Sequence, residues 1–172
     1  WKIKPDIITF AKGITCGYVP LGGVIVSKEI SSYFDENNFV SGLTYGAHPV
    51  GCAAGIAAIG AYRKYNVFEN VKKMEKVLIR ELLLLKGKHP CLGDVRVKGL
   101  FGMIELVRDR KTKEPLVPFN YDPHGIMGKI TSMLFEEGFA TYSHENMISV
   151  SPPLIITEEE IIEACGILDR VL

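Results

Sequence analysis

At 172 residues the chain is long enough to bury a sizeable core, and its 20 Lys plus Arg balance its 20 Asp plus Glu, giving a formal net charge of zero. That balance favours neither nucleic acid nor an anionic membrane surface as partner, and no run approaches the ~20 apolar residues of a membrane-spanning helix. The opening Trp1-Lys2-Ile3-Lys4-Pro5 has the look of neither a secretory leader nor a cap, and Cys16, Cys52, Cys91 and Cys165, scattered without a CxxC pair, read as reduced, mostly buried thiols of a cytoplasmic protein. The four histidines have no metal-ligand spacing.

The first predicted element is a buried strand over Ile7, Ile8, Thr9 and Phe10, apolar and largely β-branched. A turn-rich crossing with Gly13, Gly17, Pro20, Gly22 and Gly23 leads to a second strand, Val24 to Val26. Lys12 therefore stands where a strand meets a glycine-rich loop. Two readings are open for it. A lysine at a strand end commonly snorkels to water. Alternatively its amine sits in a partly desolvated pocket, where burial disfavours the ammonium and frees the lone pair to attack a carbonyl.

A short helix begins at Lys28 with Ser27 as its N-cap, and Asp35 to Asn38 ends it. The stretch Ser41-Gly42-Leu43-Thr44-Tyr45-Gly46-Ala47-His48-Pro49 is either a simple loop and cap or an anion cradle, in which close backbone N–H groups and the Thr44 hydroxyl act as donors. Pro49 suits the first turn of the next helix, whose alanines and glycines from Val50 to Tyr65 predict close, buried packing. Asn66 breaks that helix, and a second long one runs from Val67 to Leu85 with Val71, Met74, Leu78 and Leu82 on one face.

The remainder reads as α+β. Val95 to Leu106 is a strand, a glycine break and a strand; Arg108 to Pro118 is a surface loop; Gly125 to Glu137 is an amphipathic helix with Ile126, Ile130, Met133 and Leu134 inward. Phe139 to Tyr142 and Met147 to Val150 are expected strands around a polar turn, Ser143 to Asn146. Thr157 and Glu160 form a capping box for the last helix, with Ile161, Ile162, Cys165, Leu168 and Leu172 packed inward.

The segment PDIITFAKGITCGYVPLGGVIVS, with SGLTYGAHPVGCAAG, VKGLFGMIEL and SVSPPLIITEEEI, resembles the class III (omega-amino acid) aminotransferases, which are pyridoxal 5'-phosphate enzymes of fold type I. The resemblance implies an α/β chain made of the C-terminal part of the cofactor-binding large domain, residues 1–70, followed by the small α+β domain, residues 71–172. It implies that Lys12 carries pyridoxal phosphate as a Schiff base and that Thr44 binds the cofactor phosphate of a neighbouring subunit, in a homodimer with shared active sites. The expected reaction moves an amino group from an omega-amino acid or amine to a 2-oxo acid such as pyruvate. The same scaffold serving an aminomutase, racemase or decarboxylase, or a catalytically silent fragment, is the alternative.

Two departures qualify the likeness. The acid that pairs with the pyridine nitrogen and the glycine-rich phosphate loop lie upstream of the lysine in such enzymes, so the chain reads as a fragment, and these 172 residues by themselves are expected not to transaminate. Many omega-aminotransferases hold a substrate carboxylate with an arginine shortly before the Pro-Pro, whereas here no arginine occurs between Arg110 and Arg170; Tyr142 is the nearest match to that position, with His144 close by.

Overall fold

A computed structural model describes residues 2–172, which form two compact units, one ending at Tyr65 and the other running Asn66–Leu172.

In the first unit, strand β1 (Ile7–Phe10) pairs antiparallel with β2 (Gly23–Val26), with Ile7 opposite Val26 and Phe10 opposite Gly23. Phe10 needs a glycine there: a Cβ at Gly23 would lie 2.3 Å from the Phe10 ring. The expectation of a buried β1 is not met. Ile7, Ile8, Val24 and Ile25 are all exposed, because a two-stranded ribbon has no second layer to cover either face.

Helix α1 (Lys28–Tyr33) is capped as expected, Ile30 N donating to Ser27 Oγ. Helix α2 (Pro49–Lys64) carries Pro49 at its first position. Only the stripe Gly51, Gly55 and Ala58 is buried, and Leu21 lies 3.5 Å and 3.3 Å from where Cβ atoms of Gly51 and Gly55 would stand. The missing side chains make room for Leu21; Cys52, Ala54, Ala61 and Tyr62 are half-buried, while Val50 and Ile56 face solvent.

The second unit opens with α3 (Val67–Lys88), which begins after Asn66 in the left-handed conformation and continues past the expected end, through Gly87. Strands β3 (Leu92–Lys98), β4 (Phe101–Asp109), β6 (Ser143–His144) and β7 (Met147–Val150) form an antiparallel sheet in the order β3-β4-β7-β6, with β5 (Glu114–Pro115) also paired to β4. Gly99, at φ +60°, makes the β3–β4 turn. On β4 the inward residues Gly102, Ile104 and Leu106 alternate with Met103 and Glu105, the period-two pattern of a sheet covered on one face. Ile104 faces Ile148 across the ladder. Onto this face pack Met74, Leu78, Leu82 and Leu85 of α3, with Ile161, Cys165 and Leu168 of the last helix, α5 (Glu158–Val171).

Several local expectations change. Residues 108–118 are not a plain surface loop: β4 extends to Asp109, β5 pairs back on it, and Val117 joins the core. In α4 (Ile126–Glu136) the deepest residues are Met127 and Leu134, one heptad apart, while Met133 is exposed. Gly125 supplies no side-chain cap, so Asp122 does the work: its carboxylate accepts from Ile126 N and Met127 N at 2.9 and 3.0 Å, which holds it below the usual carboxylate range. The strand expected at Phe139–Tyr142 lies instead at Ser143–His144, leaving Glu145 and Asn146 as the turn. The Thr157–Glu160 capping box forms on both sides, and of the expected α5 stripe only Ile162 points outward. The cysteines are less buried than expected: Cys165 is buried, Cys52 and Cys91 are half-buried, and Cys16 is exposed.

Candidate active site

The chain leaves β1 through extended Ala11 and turns at Lys12, whose φ of +54° places it in the left-handed region. A non-glycine residue there is uncommon, because Cβ crowds the backbone. One 3₁₀ turn follows over Lys12–Thr15, with Ile14 N donating to Ala11 O and Cys16 N to Gly13 O, both at 3.3 Å. Thr15 is buried and donates to Val19 O at 2.6 Å, closing the loop on its inner side. Cys16 and Gly17 are also left-handed.

From α2, Tyr62 Oη donates to Gly13 O at 2.6 Å and lies 3.2 Å from Cys16 Sγ. The contact with Cys16, and then burial, push the Tyr62 phenol above its ordinary value. Lys12 itself is exposed, and among the described residues no hydrogen bond or ion pair engages its ammonium. The desolvated pocket expected around it is therefore not built by these residues: with β1 and β2 open on both faces, nothing in the unit encloses the amine.

Thr44 begins a turn ahead of α2. Gly46 N donates to Leu43 O at 3.0 Å and His48 N to Tyr45 O at 3.3 Å. His48 caps α2, its Nδ1 accepting from Val50 N at 3.3 Å. A histidine is a weak cap signal, and the sequence pattern did not single it out. Thr44 is exposed with no hydrogen bond on its hydroxyl among the described residues. Lys12 and Thr44 belong to the same unit, and no hydrogen bond joins them.

Tyr142 belongs to the second unit. It is 67% exposed, its ring stacks on His144 with centroids 6.4 Å apart and planes 8° from parallel, and its carbonyl accepts from Ser149 N at 2.9 Å. It borders an open hollow of about 530 Å³ with Thr131, Phe135 and Ser143. There Thr131 Oγ1 meets Met127 O at 2.8 Å and Ser143 Oγ at 2.9 Å. Among the described residues no three His, Cys, Asp or Glu side chains converge on a metal site, and no helix is long and apolar enough to cross a membrane.

A family model described as aminotransferase class III matches residues 1–172. The solved structure of a taurine:2-oxoglutarate aminotransferase from Bifidobacterium kashiwanohense, in complex with PLP and glutamate, is 45% identical over 99% of this chain and 38% of its own, with a TM-score of 0.92. An adenosylmethionine-8-amino-7-oxononanoate aminotransferase of Methanocaldococcus jannaschii is 36% identical over 96% of the chain and 36% of its own length. A taurine–pyruvate aminotransferase of Bilophila wadsworthia is 33% identical over 99% and 39%. The chain thus spans little more than a third of the length of these relatives.

Proposed function

The chain belongs to the class III aminotransferases, and on that footing we propose that its residues serve an enzyme moving an amino group from an omega-amino acid or amine to a 2-oxo acid such as pyruvate, with pyridoxal phosphate as cofactor. The observation that carries this reading is the uncommitted Lys12 amine on a left-handed turn at the end of β1. A lysine tied into an ion pair would have to give up that partner before holding a carbonyl group; Lys12 has none to give up among the described residues.

The residues present fit the cofactor at two points. Lys12 Nζ would hold its aldehyde carbon, and the exposed Thr44 hydroxyl, with no hydrogen bond among the described residues, would donate to its phosphate from across a two-fold interface in a homodimer. When bound, pyridoxal phosphate supplies the electron sink that stabilises a carbanion next to nitrogen. The part left to Lys12 would be to hold the cofactor and, as a free amine, to act as the base that takes and returns a proton at the substrate carbon. Its support from β1 and the following turn fixes where that base stands.

Tyr142 is proposed as a substrate contact. A phenol offers one O–H donor, where an arginine would offer a planar fork to both carboxylate oxygens. The absence of arginine from residues 111–169 therefore favours a substrate held less through its carboxylate than in enzymes that keep the arginine.

The test is amine consumption that depends on a 2-oxo acid. Taurine and other omega-amino acids are offered to the full-length enzyme that these residues serve, with pyruvate or 2-oxoglutarate, and both products are followed. Equal consumption with and without the 2-oxo acid would exclude amino transfer and turn the reading towards a decarboxylase or mutase on the same scaffold.

A further inference from the structure

The tie between α2 and the lysine-bearing turn has no part in the reading above. We propose that Tyr62 is a positioning residue for Lys12, its hydroxyl locking the Lys12–Thr15 turn so that the amine keeps a fixed direction. The role rests on Lys12 being the lysine that holds the cofactor.

The Lys12 backbone is strained. Lys12 sits at φ +54°, a conformation that costs free energy in any residue with a Cβ and persists only where its surroundings over-determine it. Cys16, at the far end of the turn, is left-handed as well. Local hydrogen bonds do little to hold these two: Ile14 N to Ala11 O and Cys16 N to Gly13 O are both long, at 3.3 Å. Thr15 Oγ1, at 2.6 Å from Val19 O, ties the far side of the turn to the residues after it, and on the Lys12 side the short bond is the one from outside. Tyr62 Oη donates to Gly13 O at 2.6 Å, so that carbonyl, one residue after Lys12, accepts from both Cys16 N and Tyr62 and fills its two lone pairs.

The hydroxyl is itself oriented. The Cys16 thiol completes the cluster, its Sγ 3.2 Å from Tyr62 Oη and 3.9 Å from Gly13 O. A single oxygen thereby joins the residue after Lys12, the residue that ends the turn, and a sixteen-residue helix. A support placed on a helix is stiffer than one placed on a loop. Without the hydroxyl the Lys12 side of the turn keeps only its two long local bonds, and Lys12 is freer to leave the left-handed region and swing its amine away.

Tyr62→Phe removes one oxygen and keeps the ring. With no cofactor present, amide hydrogen exchange at Ile14 and Cys16 should rise about fivefold, the size expected for one lost hydrogen bond, while other amides of residues 1–65 stay unchanged. Cys16→Ala, which leaves the bond to Gly13 in place, should change those amides less than twofold. Unchanged exchange at Ile14 and Cys16, or a uniform rise across residues 1–65, overturns the proposal. In the cofactor-loaded protein, Tyr62→Phe should displace the pH midpoint of the long-wavelength cofactor absorbance and lower kcat with KM for the amine nearly constant; an unmoved midpoint overturns it. Lys12→Ala separates the two readings. If the long-wavelength band survives in that variant, Lys12 is not the cofactor lysine and the positioning role falls with it; if the band is lost, any failure belongs to Tyr62 alone.

Discussion

Asn146 and Leu106 exchange two hydrogen bonds: Asn146 Nδ2 donates to Leu106 O at 2.7 Å, and Leu106 N donates to Asn146 O at 2.8 Å. Asn146 stands in the β6–β7 turn yet is buried, so its amide has exchanged water for a backbone carbonyl of β4. This tie sets the turn against the sheet, and with it strand β6, which Tyr142 immediately precedes.

Replacing Asn146 by Ala removes one of two donors to the Leu106 carbonyl, which keeps its bond from Leu116 N at 3.0 Å. The cost is then that of one net hydrogen bond, about 0.5–1.5 kcal/mol. Denaturant unfolding of the chain should show a loss of that size, and Asn146→Gln, whose amide is one methylene out of place, should not restore it. A loss within about 0.5 kcal/mol, the range of ordinary surface changes, would show that the pair carries no weight.

Much of this architecture was legible in the residues. The Thr157–Glu160 capping box, Ser27 as a cap, and the Met74-Leu78-Leu82 stripe each follow from local chemistry repeated at helical spacing, and each is present. The errors share a cause. Asn146 and Glu145 both look like polar turn residues, and nothing local says that one of them faces inward, so composition marks a turn two residues wider than the one that forms. Ile7, Ile8, Val24 and Ile25 have the composition of a covered strand, but composition cannot show which partners are at hand. Tyr62 is one aromatic in an alanine-rich helix; its reach to Gly13, 49 residues earlier, leaves no trace in spacing. Lys12 and Thr44 stood out through their segments' resemblance to a family, not through periodicity.

The acid limit of the second unit should depend on Asp169. Its carboxylate accepts from Lys88 Nζ at 2.5 Å and His89 Nε2 at 2.6 Å, joining the C-terminal ends of α3 and α5, and the bond from Lys88 first, then that from His89, hold it below the usual carboxylate range. A carboxyl lowered on folding contributes stability that is present above its unfolded value of ~3.9 and is lost as pH falls through the folded one. Thermal unfolding from neutral pH down to about pH 2 should therefore show Asp169→Asn less stable at neutral pH and less sensitive to acid. Parallel curves for variant and parent would contradict this.

Thiol chemistry should separate the cysteines. Burial pushes the Cys165 thiol up to about 12, with the nearby Glu81 adding to the shift, whereas Cys16 is exposed. Iodoacetamide at neutral pH, followed by peptide mapping, should label Cys16 readily and Cys165 only after unfolding. Equal labelling in the native chain would mean that the core around α5 opens freely.

Tyr142→Arg tests the substrate reading. A guanidinium at that position can fork onto a carboxylate, a charge-assisted contact worth about 1.5–3 kcal/mol. KM for pyruvate or 2-oxoglutarate should fall roughly tenfold or more. An unchanged KM would remove Tyr142 from the substrate site.

The central claim is that Lys12 holds the cofactor. Borohydride reduction of the pyridoxal phosphate-loaded protein, followed by proteolysis and mass mapping, tests it most directly, since reduction makes the link between lysine and cofactor permanent. The account predicts a pyridoxyl group on the peptide containing Ala11-Lys12-Gly13, and on no other lysine of the chain. The same group on any other lysine, with Lys12 unmodified, would contradict it.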